Sequence, residues 1–232
     1  MLNVLINPVA IILGSLIGIF LKKFIKEEHI DSIFPIMNLI IGIIGIQGAI
    51  KMDNMLLLIF SLVIGSLIGV NLHLDDKVHG FGYKMQNLMK NNDPNLTQGF
   101  ITAFIVHSVG AMAILGPLNI GLLGDSSIMN TKSALDFLSS IVFASIYGPG
   151  VILSAPFTFI YELAIYLLST WIEPILPVVV INQISAIGSV LIVAISVNLL
   201  EIKDKEIKVP NYMPALLIPI IWHGLLNFLN LG

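Results

Sequence analysis

Residues 2–21 read LNVLINPVAIILGSLIGIFL, twenty positions without one charged side chain. A helix of that length spans the hydrocarbon core of a bilayer, which needs roughly 20 apolar residues. No basic segment precedes the run, and Lys22, Lys23 and Lys26 follow it. The expectation is an uncleaved first span, not a secretory signal. The whole chain agrees. Of 232 residues, 56% are hydrophobic and 11% charged. A soluble domain carries about 25% charged residues, so this chain cannot coat a globule in water and reads as an integral membrane protein.

Further apolar runs lie at 33–50, 55–72, 98–118, 133–148, 150–171, 184–200 and 213–231. With the first run they predict an all-α, polytopic helical bundle of eight transmembrane helices over 1–232. The number is seven if one of 133–148 and 150–171 does not cross. The lysines orient the spans. Nine (22, 23, 26, 77, 84, 90, 203, 205 and 208) fall in alternate loops, against Lys51 and Lys132 on the other side. Cationic loops stay inside, so both termini are expected outside. If either 133–148 or 150–171 were re-entrant, the 201–211 loop would land outside with three lysines. The count therefore favours two crossings. Between spans, residues 74–90 place Leu74, Val78, Phe81, Met85, Leu88 and Met89 at helical spacing, as in an amphipathic helix on the cytoplasmic surface.

Gly14-Ser-Leu-Ile-Gly18 recurs as Gly65-Ser-Leu-Ile-Gly69, 51 residues on. Glycines four apart let helix backbones approach closely. Packing is the plain explanation, and a parallel internal repeat the sharper one.

Polar residues concentrate in Gly124–Pro156, GDSSIMNTKSALDFLSSIVFASIYGPGVILSAP. An ionisable side chain at membrane depth costs roughly 2.5–3.5 kcal/mol and marks a functional site by default. Lys132 and Asp136 are four apart and can pair on one helix face. Ser133, Asp136, Ser140 and Tyr147 form a polar stripe that suits a hard cation or a hydrated path. The plain alternative is that the serines bond their own helix and the Lys–Asp pair is an anchor. Asp136 lies 13 residues before Pro149 and Glu162 lies 13 after it, which sets both carboxylates at one depth. His107, within FIVHSVGAM, is a candidate proton relay or a packing residue.

Several function classes are excluded or disfavoured. A net charge of −3 offers nothing to nucleic acid, and all 11 basic residues are lysine, so no guanidinium fork is present for phosphate. Without cysteine there is no thiolate chemistry. No metalloprotease, phosphate-loop or nucleophile-elbow motif occurs, and no catalytic residue, metal or cofactor is expected.

Gly110-Ala-Met-Ala-Ile114, Gly116, Gly124-Asp125, Lys132-Ser133, Asp136, Ser140, Ala144-Ser145, Gly148, Gly150-Val151 and Ser154 resemble the pattern of the domain of unknown function 554 family. Asn198-Leu199-Leu200, Lys203 and Met213-Pro214-Ala215-Leu216 resemble its C-terminal part, and Gly14-Ser15 and Gly18 its start. The resemblance implies a polytopic inner-membrane protein and brings no substrate, cofactor or reaction. Glu162 departs from the pattern, in which Gln is expected, so an Asp136–Glu162 pairing is not carried by it.

These readings converge on a transporter or channel for a small solute or ion in the inner membrane. Its pathway would use Asp125, Lys132, Ser133, Asp136, Ser140 and Ser145, with His107 and Glu162 as neighbours. The alternative is a structural or assembly protein whose glycine faces dock a partner or build a homo-oligomer.

Overall fold

The computed structural model describes residues 2–22, 24, 27–88, 95–109, 111–172, 176–200 and 205–229. Among them all regular structure is helical: α1 (Leu2–Lys22), α2 (Glu27–Ala49), α3 (Met55–Asn71), α4 (Leu74–Leu88), α5 (Asn95–Val109), α6 (Ala111–Leu123), α7 (Ser127–Tyr147), α8 (Gly150–Leu167), the single turn α9 (Ser169–Ile172), α10 (Val178–Leu199), a 3-10 helix (Val209–Leu217) and α11 (Ile218–Phe228). The helix expected at 74–90 is present as α4; residues 89 and 90 lie outside the described residues.

Among the described residues, four helical stretches are long and apolar enough to cross a bilayer: Asn3–Lys22, Gly150–Leu167, Val178–Leu199 and Val209–Phe228. Two bent pairs raise the number to as many as six: Met55–Asn71 with Leu74–Gly80, at 59°, and Leu96–Ser108 with Met112–Leu123, at 54°. The run expected as one span at 98–118 falls on two helices, α5 and α6. The expected span at 213–231 begins inside the 3-10 helix. Pro214, inside this stretch, lacks the backbone donor that a regular α-helix would use there, while Pro210 and Pro219 stand in the first turns of the 3-10 helix and α11, where proline is tolerated. The 21 residues of α7 match α1 in length, but its polar stripe keeps it out of the apolar set.

The outward faces of these helices are apolar, unlike those of a water-soluble helix. On α1, Leu5, Ile6, Val9, Ile12, Leu13, Leu16, Ile17 and Phe20 are exposed, whereas Asn7, Gly14, Ser15 and Gly18 are buried together with Val4 and Ile11. On α3 the exposed side carries Leu56, Ile59, Phe60, Val63, Ile64 and Leu67, and the buried side Leu57, Leu58, Ser61, Gly65 and Gly69. Large apolar side chains outside and small or polar ones inside is the pattern lipid imposes, since lipid gives no hydrophobic drive to bury leucine.

The chain divides into two compact units, Met1–Ile36 with His79–Thr170 and Met37–Val78 with Trp171–Gly232. In the first, α1 lies parallel to α7. A Cβ on Gly14 would meet the Phe137 carbonyl and Ser140; one on Gly18 would meet the Ile141 carbonyl and Ala144. Four residues along α1 match four along α7, with backbones touching. α7 ends at Gly148, whose φ of 72° and ψ of −146° complete a two-residue turn with Pro149 before α8. That conformation is open to glycine and strained for other residues. Gly148→Ala is expected to lower stability by about 1–3 kcal/mol, read as a fall in the Tm of the detergent-solubilised protein. A Tm equal to the parent's would show that the turn relaxes freely.

In the second unit, Gly42, Gly45 and Gly48 of α2 face Ser196, Val193 and Ser189 of α10, an antiparallel seam of small residues. Ser196 Oγ donates to the Asn38 carbonyl at 2.6 Å, and Asn38 Nδ2 to the Leu199 carbonyl at 3.0 Å. Gly65 and Gly69 abut Ala215 and Asn211 of the 3-10 helix. Here residue numbers rise on α3 as they fall on the partner, so the contact is antiparallel. The two copies of Gly-Ser-Leu-Ile-Gly therefore serve opposite packing directions, and their likeness reflects close approach, not a shared repeat contact. Asn198 clasps the backbone of Ile207 through two hydrogen bonds of 2.8 Å. Asn211 Oδ1 accepts from the Asp75 N–H at 3.0 Å, and Lys208 Nζ lies 3.3 Å from Asp75.

Candidate functional site

The first unit buries three ionisable side chains in one place. Lys132 and Asp136, one turn apart on α7, form an ion pair. Lys132 Nζ also lies 3.1 Å from Oε1 of Glu162 on α8. The same Oε1 accepts a 2.6 Å hydrogen bond from Asn7 Nδ2 on α1. Glu162 is 0% exposed, Lys132 4% and Asp136 8%. Three helices thus converge on one ammonium facing two carboxylates, and with all three groups ionised the cluster carries a net charge of −1.

Local sequence explains each placement. The four-residue spacing on α7 puts Lys132 and Asp136 on one face. The tight turn at 148–150 folds α8 back beside α7, which returns Glu162 to the depth of Lys132. Asn7 lies two helical turns before Gly14, on the same α1 face. The parallel α1–α7 contact at Gly14 and Gly18 therefore carries Asn7 to the level of Lys132.

α5 places His107 near the cluster, against Ser139 of α7. Ser139 Oγ donates to the Asp136 carbonyl at 3.1 Å, and His107 Nε2 lies 3.2 Å from that hydroxyl. His107 is buried and packs its ring beside Phe143, with centroids 6.1 Å apart. It reaches Asp136 through Ser139 and the helix backbone.

The other residues singled out in the sequence fall elsewhere. Ser133 Oγ bonds the Met129 carbonyl at 2.8 Å and Ser145 Oγ the Val142 carbonyl at 2.7 Å, each within its own helix. Ser140 is buried against Gly14, and its hydroxyl has no hydrogen-bond partner among the described residues. Asp125 is exposed on the turn before α7. Its Oδ1 accepts from Ser127 Oγ at 2.6 Å and from Ser127 N at 2.9 Å. These bonds, the hydroxyl's first, hold its carboxyl below the usual aspartate range. Asp125 starts α7; it does not join the buried cluster.

Asn7 is the residue the sequence reading did not select. A signal was present: Asn7, Gly14 and Gly18 recur at i, i+7 and i+11 along one face of an otherwise apolar run. Glu162 comes from outside the 124–156 segment, so the buried cluster belongs to three helices and not to one polar stretch.

An apolar exterior, buried ion pairs and glycine-mediated backbone contacts define an integral membrane protein. The chain belongs to the family described as protein of unknown function DUF554, whose profile matches residues 2–223. It is 34% identical over 223 residues to the uncharacterized membrane protein YdfK of Bacillus subtilis (strain 168), covering 94% of both chains. It is 29% identical over 222 residues to the uncharacterized protein YqgA of Escherichia coli (strain K12), covering 92% of both. No solved structure matches.

Proposed function

We propose that this protein is a secondary transporter or channel for a small solute or ion in the inner membrane, with the Lys132–Asp136–Glu162 cluster as its working site. One observation carries the reading: two carboxylates share a single ammonium inside an apolar bundle. Burying an ion pair costs several kcal/mol per ion before any return. A purely structural protein gains as much from leucine at those positions. An unbalanced buried charge, by contrast, gives a mobile cation or proton something to exchange with.

Eight crossings with both termini outside fit the loop lysines best. Lys132 is buried in α7, so the tally becomes nine lysines against Lys51 alone. The assembly alternative loses ground, because Gly14, Gly18, Gly65 and Gly69 are all filled from within the chain.

The test is a flux screen in proteoliposomes, over ions and small metabolites, comparing the parent with Asp136→Asn. The parent is expected to move at least one solute, and the variant to move it roughly 10-fold or more slowly, the loss of about 1.4 kcal/mol in the limiting barrier. A parent that moves none of them refutes the transport reading.

A further inference from the structure

We infer that Glu162, Thr158 and Asn7 form a binding site for a dehydrated alkali cation, seated on the side of Glu162 away from Lys132. The inference rests on the reading of the buried cluster as the working site. Glu162 uses its two oxygens unequally. Oε1 receives both Lys132 Nζ and Asn7 Nδ2, whereas Oε2 has no hydrogen-bond partner among the described residues. The same holds for Asn7 Oδ1 and Thr158 Oγ1. All three residues are wholly buried. Thr158 precedes Glu162 by four residues on α8, so the two side chains share one face, about one turn apart. Asn7 is fixed to the carboxylate through its amide nitrogen, which leaves its carbonyl oxygen beside Glu162. Buried polar atoms are almost always partnered; Glu162 Oε2, the hydroxyl one turn before it and the carbonyl of the amide bonded to Glu162 are three such orphans that one shared ligand would satisfy.

The ligand chemistry narrows what that partner is. The donors are a carboxylate, an amide carbonyl and a hydroxyl, all hard oxygens with no nitrogen or sulfur ligand. The charge count narrows it further. Lys132 offsets one of the two carboxylates, and a single positive charge neutralises the other. A divalent ion would overshoot. A proton on Oε2 supplies one O–H donor, which partners at most one of Asn7 Oδ1 and Thr158 Oγ1 and leaves the other orphaned.

The experiment follows thermal unfolding of the purified full-length protein in detergent at fixed pH, with NaCl exchanged for choline chloride at constant ionic strength. A ligand that binds only the folded state raises Tm in a saturable way. A rise of several degrees is expected with sodium. Thr158→Val is expected to shift its midpoint at least 10-fold to higher sodium, and Thr158→Ser, which keeps the hydroxyl, to leave it near the parent's. Glu162→Gln is expected to fold and to give one Tm in both salts. Equal parent Tm in the two salts overturns the inference, as does a sodium response that Thr158→Val leaves unchanged, or a Tm that follows pH and ignores sodium. Binding in detergent needs no transport, so the two readings fail separately. Sodium-dependent stability with no flux sinks the transport reading and keeps the site. Flux with no sodium effect does the reverse.

Discussion

Lys132→Met is expected to cost about 3–5 kcal/mol of stability, the usual penalty when one partner of a buried ion pair is removed. Met nearly matches the aliphatic stem, so packing changes little. What changes is charge: Asp136 and Glu162 then face each other at depth with no ammonium between them. The compensating set Lys132→Met, Asp136→Asn and Glu162→Gln removes both carboxylates' charge and keeps side-chain shape. It is expected to recover most of the lost stability and none of the flux. Thermal unfolding in detergent measures the first part, and the proteoliposome assay the second. If Lys132→Met melts with the parent, or if the triple substitution transports, the ammonium is not the keystone of the cluster.

Gly18→Val is expected to cost about 3 kcal/mol, the upper part of the range for inserting bulk into a packed site. The reason is what the new Cβ meets. At Gly18 it meets the Ile141 backbone carbonyl, which cannot swing aside as a side-chain tip can. α1 would have to move away from α7, and Asn7 would withdraw from Glu162. Gly80 of α4 is the control, with no described neighbour within 4 Å of its would-be Cβ. Gly80→Ala gains helix propensity and is expected to be neutral or up to about 1 kcal/mol stabilising. Tm measurements on both variants decide the matter. Equal effects would mean that glycine content, not close approach, governs these helices.

The sequence made some of this legible and hid the rest for physical reasons. Membrane class followed from charge scarcity alone, because no fold of this composition can face water. α1, α3, α8 and α10 followed from apolar run length. α7 was harder to place: a buried polar stripe makes a helix look short to any hydropathy count. The bend between α5 and α6 did not show, since an apolar run has the same letters whether straight or broken. The prolines at 210, 214 and 219 were visible, but their outcome, a 3-10 entry into α11, depends on what the 3-10 helix packs against. In the site, Lys132 with Asp136 could be read from four-residue spacing, and Glu162 from its symmetry about Pro149. Asn7 could not be joined to them. Helical periodicity tells which face a residue occupies, not which distant helix will cover that face.

The hydrogen bond from Asn7 to Glu162 joins residues 155 positions apart, which has a consequence for biogenesis. At roughly 5–20 residues per second, ribosomes need on the order of 8–30 s to make the intervening chain. During that interval α1 has left the ribosome, but its polar seam of Asn7, Ser15 and two glycines has no mate. The seam must wait either against lipid or against the insertion machinery until α7 and α8 arrive. Anything that delays the synthesis of residues 127–167 lengthens the period in which a nascent α1 stands open to membrane quality-control proteases.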